Sequence, residues 1–165
     1  MTIQKNKHTY LAFDNGTNFT LYENIEGSKH IVIVDYKATK PNMESGIVIL
    51  NPGEYEYNGV LIKIASDNNI LVSAEGLKFF YMINMDIAKD NKYADAADVY
   101  VFDNDDEKAY KMNDVLDFIK NVEAKVVVVN EKMIDESPAN AEKMNKVKLK
   151  SSEVDLLPET KFYLI

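Results

Sequence analysis

Three glycine-bearing turns in the first half of the chain constrain its fold more than any other feature. Asp14-Asn15-Gly16, Asn58-Gly59 and Ala74-Glu75-Gly76 each lie between two short apolar or alternating runs. Asn-Gly supplies the positive φ angles that a tight hairpin turn needs. HTYLAF (His8–Phe13) and TNFTLY (Thr17–Tyr22) flank the first turn. EYEY (Glu54–Tyr57) and VLIKIA (Val60–Ala65) flank the second, with Val60, Ile62 and Ile64 on one face by period two. NILVS (Asn69–Ser73) and LKFFYM (Leu77–Met82) flank the third. HIVIV (His30–Val34) and GIVIL (Gly46–Leu50) are compact apolar runs of buried-strand type.

The second half changes character. DVYVF (Asp98–Phe102) reads as a strand, followed by an acidic loop from Asp103 to Glu107. Asn113 to Glu123 reads as a helix, because Val115, Phe118, Ile119 and Val122 make one apolar stripe. KVVVV (Lys125–Val129) is a buried strand. Ser137-Pro138 has the form of a helix start, serine as cap and proline in the first turn, which predicts a short helix to about Asn145. KFYLI (Lys161–Ile165) closes the chain as a strand. With 165 residues and neither an internal repeat nor a linker, the expectation is one domain over 1–165, of sheets with a few covering helices.

Charge and cysteine usage exclude several functions. Lysine plus arginine number 19 and aspartate plus glutamate 27, a formal charge of −8. Such a surface repels phosphate backbones and anionic headgroups, so neither nucleic acid nor membrane is an expected partner. Lys143, Lys146, Lys148 and Lys150 cluster, but read as the solvated flank of a short strand. The absence of cysteine excludes disulfides, thiolate catalysis and cysteine zinc sites. The polar start, Met1 to Tyr10, lacks the apolar run of a signal peptide. No stretch approaches the roughly 18 apolar residues of a membrane span. A cytoplasmic, soluble protein is expected.

NPGEYEYNGV (Asn51–Val60) resembles a segment of metal-dependent hydrolases of the metallo-β-lactamase fold, in the branch that includes L-ascorbate-6-phosphate-lactonase-like proteins. IQKNKHTYLAF (Ile3–Phe13) resembles that branch's opening strand, and EGLKFFYMINMD (Glu75–Asp86) its central hairpin. ADVYVF, the helix, KVVVV and LKSSEVDLLPETKFYLI follow in the order of its later elements, with a deletion after Val34. The resemblance therefore covers nearly the whole chain. It implies an α+β fold: a metallo-β-lactamase-like αββα sandwich of two packed, mostly antiparallel sheets, with reduced outer helices.

What the resemblance implies for chemistry is a loss. The fold's hydrolases bind one or two metal ions, which acidify a water and polarise the substrate, through imidazoles and carboxylates. The first ligand cluster, His-x-His-x-Asp-His, aligns with DYKATKP, Asp35 to Pro41. Tyr36, Ala38, Lys40 and Pro41 stand at its ligand positions, and Lys40 adds a positive charge. The next histidine falls at Tyr81, the bridging aspartate at Asn84 and the final histidine near Glu131. Of these only Glu131 is a usual metal ligand. The two histidines, His8 and His30, lie off the aligned positions.

Other constellations are weak. Asp103, Asp105 and Glu107 alternate as in a calcium loop, but Lys108 replaces the glycine of its sixth position and Asp114 the glutamate of its twelfth. They read as a solvated loop, as do the pairs Asp86–Asp90 and Glu153–Asp155. There is no Gly-x-Ser-x-Gly elbow and no phosphate-binding glycine loop. The ten tyrosines can anchor ligands or interfaces, and in strands more often form half-buried sheet surface.

The resulting expectation is a non-catalytic, metal-free and cofactor-free member of the fold, acting as an interaction or scaffold module. Its partner would be a protein chain, a second copy included. The candidate binding surface is the old active-site edge: Asp35, Tyr36, Ala38, Lys40, Pro41, Tyr81, Asn84 and Glu131, either closed or repurposed. Two alternatives stay open. One is a small-molecule sensor with a cleft lined by Tyr36, Tyr81 and Asn84. The other is a hydrolase with an atypical carboxylate site using Asp35, Asp86, Asp103 or Glu131.

Overall fold

The alternation of side chains along each strand sorts the apolar residues into two layers, and the layers dictate the architecture. The computed structural model describes residues 1–5, 9–20, 29–33, 46–49, 51–65, 69–82, 93–102 and 110–165. Along the chain run β1 (Thr2–Lys5), β2 (Thr9–Ala12), β3 (Thr17–Thr20), β4 (Lys29–Ile33), β5 (Gly46–Ile49), β6 (Gly53–Tyr57), β7 (Val60–Ile64), β8 (Ile70–Ala74), β9 (Leu77–Met82) and β10 (Val99–Phe102). Helix α1 (Met112–Asn121) follows, then β11 (Val126–Val129), β12 (Glu142–Lys143), β13 (Lys146–Lys148), the short helix α2 (Ser151–Val154) and β14 (Lys161–Leu164).

These strands form two sheets. The first has the order β13-β1-β2-β3-β4-β5, the second β12-β14-β11-β10-β9-β8-β7-β6. Ile3, Leu11, Phe19 and Ile49 of the first sheet share one apolar cluster with Val60, Ile62, Val72, Phe79, Val99, Val101, Val126 and Val128 of the second. The next residue along each central strand of the second sheet points the other way. Phe80, Tyr100, Phe102, Val127 and Val129 join Met112, Val115, Phe118 and Ile119 of α1 in a second cluster. Phe118 meets Tyr100 at 5.8 Å and Phe102 at 6.2 Å between ring centroids, both edge-on, the geometry aromatic rings favour. The helix is thus held by the stripe its sequence displays, and Asp135 accepts the Met112 N–H at 2.8 Å, satisfying a first-turn donor.

Three sequence expectations are corrected. The sheets are mixed, not mostly antiparallel: among the described residues six of twelve strand pairings are parallel, including the run β9-β10-β11-β14. The opening Ile3–Phe13 is not one strand but two, since β1 and β2 pair antiparallel with Ile3 opposite Leu11. The short helix expected from Pro138 to Asn145 does not form. Ala141 N–H donates to the Pro138 carbonyl at 3.1 Å in a turn, and Glu142–Lys143 extends beside β14. The Ser-Pro start was genuine helix punctuation, but the segment behind it carries no apolar stripe to bury, and isolated helices of that length are not stable without one. Two residues beyond that segment, Val147 enters the inter-sheet core from β13.

The hairpin turns are as the sequence predicts. Asn58 and Gly59 have φ of +49° and +77°, Glu75 and Gly76 +53° and +75°, the left-handed pairs that match strand twist. A Cβ on Gly59 would meet nothing within 4 Å, whereas on Gly76 it would stand 3.3 Å from Ser151 Oγ. Gly59→Ala is therefore expected to cost about 1 kcal/mol, the backbone term alone, and Gly76→Ala more. Urea unfolding of both variants measures the difference; equal losses would contradict this packing.

Candidate functional site

Four parallel strands end together, and their ends define the edge to which the sequence assigns the old site. The register sets Met82, Phe102, Val129 and Leu164 in one row at the C-terminal ends of β9, β10, β11 and β14. Tyr81 lies on β9 one residue before this row, while Asn130, Glu131 and Ile165 lie one or two beyond it. Asp35, Tyr36, Ala38, Lys40, Pro41 and Asn84 lie outside the described residues, as do His8, Asp86, Asp90, Asp103, Asp105 and Glu107.

Tyr81 is core. Its relative exposure is 0%, and its ring packs 5.2 Å from that of Phe19 across the two sheets. Parity explains this: Tyr81 shares the inward face of β9 with Phe79, and Met82 takes the outward face. Glu131 behaves in the opposite way. It opens a 3-10 turn, Glu131–Met133, its side chain 49% exposed and ion-paired to Lys143. Its N–H donates to the Ile165 main-chain oxygen at 3.0 Å. The structure does not bring Tyr81 and Glu131 together as one surface; one lies inside the core and the other faces water.

Two further residues organise this edge and carry no motif. Asn130 is buried, and its Oδ1 accepts the Lys132 N–H at 3.2 Å, capping the 3-10 turn. The same oxygen accepts from Lys5 Nζ, which also donates to the Ile165 main-chain oxygen at 3.1 Å. Asparagine after an apolar strand is a turn-capping signal that could have been read. Nothing local in the sequence could have matched it with Lys5, which is 125 positions away.

Among the described residues no three histidine, cysteine, aspartate or glutamate side chains gather as a ligand set. Glu131, the one usual ligand, already neutralises Lys143. Lys5 places an ammonium beside Asn130, where it would repel a cation. Tyr100, whose phenol is pushed strongly up by burial and then by Asp95 and Asp98, stays neutral and donates to the Ala94 carbonyl.

A Thermotoga maritima protein, described as a candidate zinc-dependent hydrolase of the metallo-β-lactamase superfamily, superposes over 100% of both chains. The TM-score is 0.60 and the sequence identity 14%. The chain has a metallo-β-lactamase-like fold. At that identity the likeness concerns architecture alone. No family model matches the sequence, and no curated protein matches it. The strand-rich, two-sheet, helix-poor chain is consistent with the fold that its sequence resembles, and no described helix is long and apolar enough to cross a membrane.

Truncating Tyr81 separates the core assignment from a surface one. Tyr81→Ala is expected to destabilise the protein by about 3–5 kcal/mol, as large aromatic truncations in cores do. Glu131→Gln is expected to change stability by less than about 1 kcal/mol, because exposed ion pairs contribute little. Denaturant unfolding of the two variants checks both; a Tyr81→Ala protein as stable as its parent would place Tyr81 on a surface.

Proposed function

We propose that this chain is a non-catalytic protein on the metallo-β-lactamase fold, a degenerate relative of the lactonase-like branch, and that it works by binding another protein chain. The observation that carries the first half is the position of Tyr81. Where the resemblance assigns a metal-binding histidine, the chain has a phenol sealed between the sheets against Phe19. Glu131, ion-paired and half-exposed, is the only described site residue able to ligate a metal, and one carboxylate does not make a hydrolytic centre.

The second half follows from what is retained. Both apolar layers are packed and the fold is kept, while the residues that would do chemistry are replaced. A chain in that condition is left with recognition as its use. The small-molecule reading loses support at one point: a cleft wall needs exposure, and Tyr81 has none. The strongly acidic balance, −8, favours a protein partner over a polyanion.

Elemental analysis after gel filtration is expected to find far less than one zinc, iron or manganese per chain. Lactone, phosphodiester and β-lactam probes are expected to be hydrolysed at background rate. A retained, stoichiometric metal together with turnover would overturn the proposal. Sedimentation across a range of concentrations tells a second copy from a different protein as the partner.

A further inference from the structure

Lys5 joins the two sheets at the strand-end edge. It is the last residue of β1 in the first sheet, and it donates to Asn130 and Ile165, which follow strands of the second. Asn130 Oδ1 follows β11, and the Ile165 main-chain oxygen follows β14. Those acceptors are themselves fixed. The Asn130 N–H donates to the Phe102 carbonyl at 3.1 Å, tying in the end of β10, and the Ile165 N–H donates to the Val129 carbonyl at 3.0 Å. The Glu131 N–H shares the Ile165 oxygen with Lys5. One ammonium thus meets the ends of two adjacent parallel strands, β11 and β14, and Asn130 carries the link on to β10.

The last carbonyls of the four strands have their own donors: the Asn130 and Ile165 N–H groups on Phe102 and Val129, the Met144 N–H on Leu164 at 2.8 Å and the Tyr110 hydroxyl on Met82 at 3.1 Å. What Lys5 adds is a bond that crosses from the first sheet to the second. We propose that Lys5 is a latch: its ammonium bridges the two sheets at this edge, locking β1 to the ends of β11 and β14 and, through Asn130, to β10. The latch stands on the contacts of Lys5 with Asn130 and Ile165 and does not depend on the non-catalytic reading.

Lys5→Met keeps the aliphatic stem and removes the ammonium; Lys5→Arg keeps a charge. For Lys5→Met the melting temperature is expected to fall by about 3–6 °C. Exchange of the Glu131 and Ile165 amides is expected to quicken about tenfold, with the β6–β7 hairpin unchanged. Lys5→Arg should retain most of the protection. An unchanged melting temperature, or acceleration spread evenly over the whole chain, would overturn the latch.

Discussion

Everything in this structure depends on four adjacent strands that are apolar on both faces. In β10 and β11 every residue from Val99 to Phe102 and from Val126 to Val129 is fully buried. Successive strand side chains point to opposite faces, so a run of this kind cannot leave one face to water. Val99, Val101, Val126 and Val128 need the first sheet, and Tyr100, Phe102, Val127 and Val129 need α1. Neither cover is optional. The helix is short, yet it is fixed by Phe118 lying edge-on to two strand aromatics, and its register on the sheet follows from that wedge rather than from helix propensity.

The sheets meet through an apolar layer that is itself indifferent to sliding, and polar contacts at both ends set their relation. At one end the first hairpin turn reaches the second sheet. Asn15 Nδ2 donates to the Asn58 carbonyl at 2.7 Å, and the Asp14 N–H donates to Glu75. At the other end Lys5 reaches Asn130 and Ile165. The turn glycines therefore do more than reverse the chain. By placing Asn58 and Glu75 in the left-handed region they bring a carbonyl and a carboxylate to the first sheet's turn.

Most of the fold was legible because it is local. The three turns, the α1 stripe and the valine run each announce themselves within a dozen residues, and the structure places them where period and punctuation put them. What was not legible is non-local or negative. Whether neighbouring strands run parallel depends on pairing partners that no window contains, and the mostly antiparallel sheets that the resemblance implies had no local signal to correct them. The Ser137-Pro138 punctuation marks a helix start, but a helix there would have nothing to bury. At the candidate site residue type is visible in the sequence and the facing sheet is not: the count along β9 from Phe79 sends Tyr81 inward, away from Glu131. Lys5, in a polar opening segment, gave no sign of its partners 125 and 160 positions away.

Parity also makes the residue at position 81 a matter of packing. An inward position on β9 tolerates a polar or charged group only if partners wait for it, since burying an unpaired one is expensive. What stands opposite is Phe19, whose ring completes an aromatic contact with Tyr81. An imidazole at position 81 would face that ring, with Lys5 holding Asn130 and Lys143 holding Glu131 at the neighbouring strand end. Among the described residues of this edge, Tyr81, Asn130 and Glu131 each have a structural partner. A histidine in place of Tyr81 would break the contact with Phe19, so that position is fixed by the same packing that keeps the two sheets together.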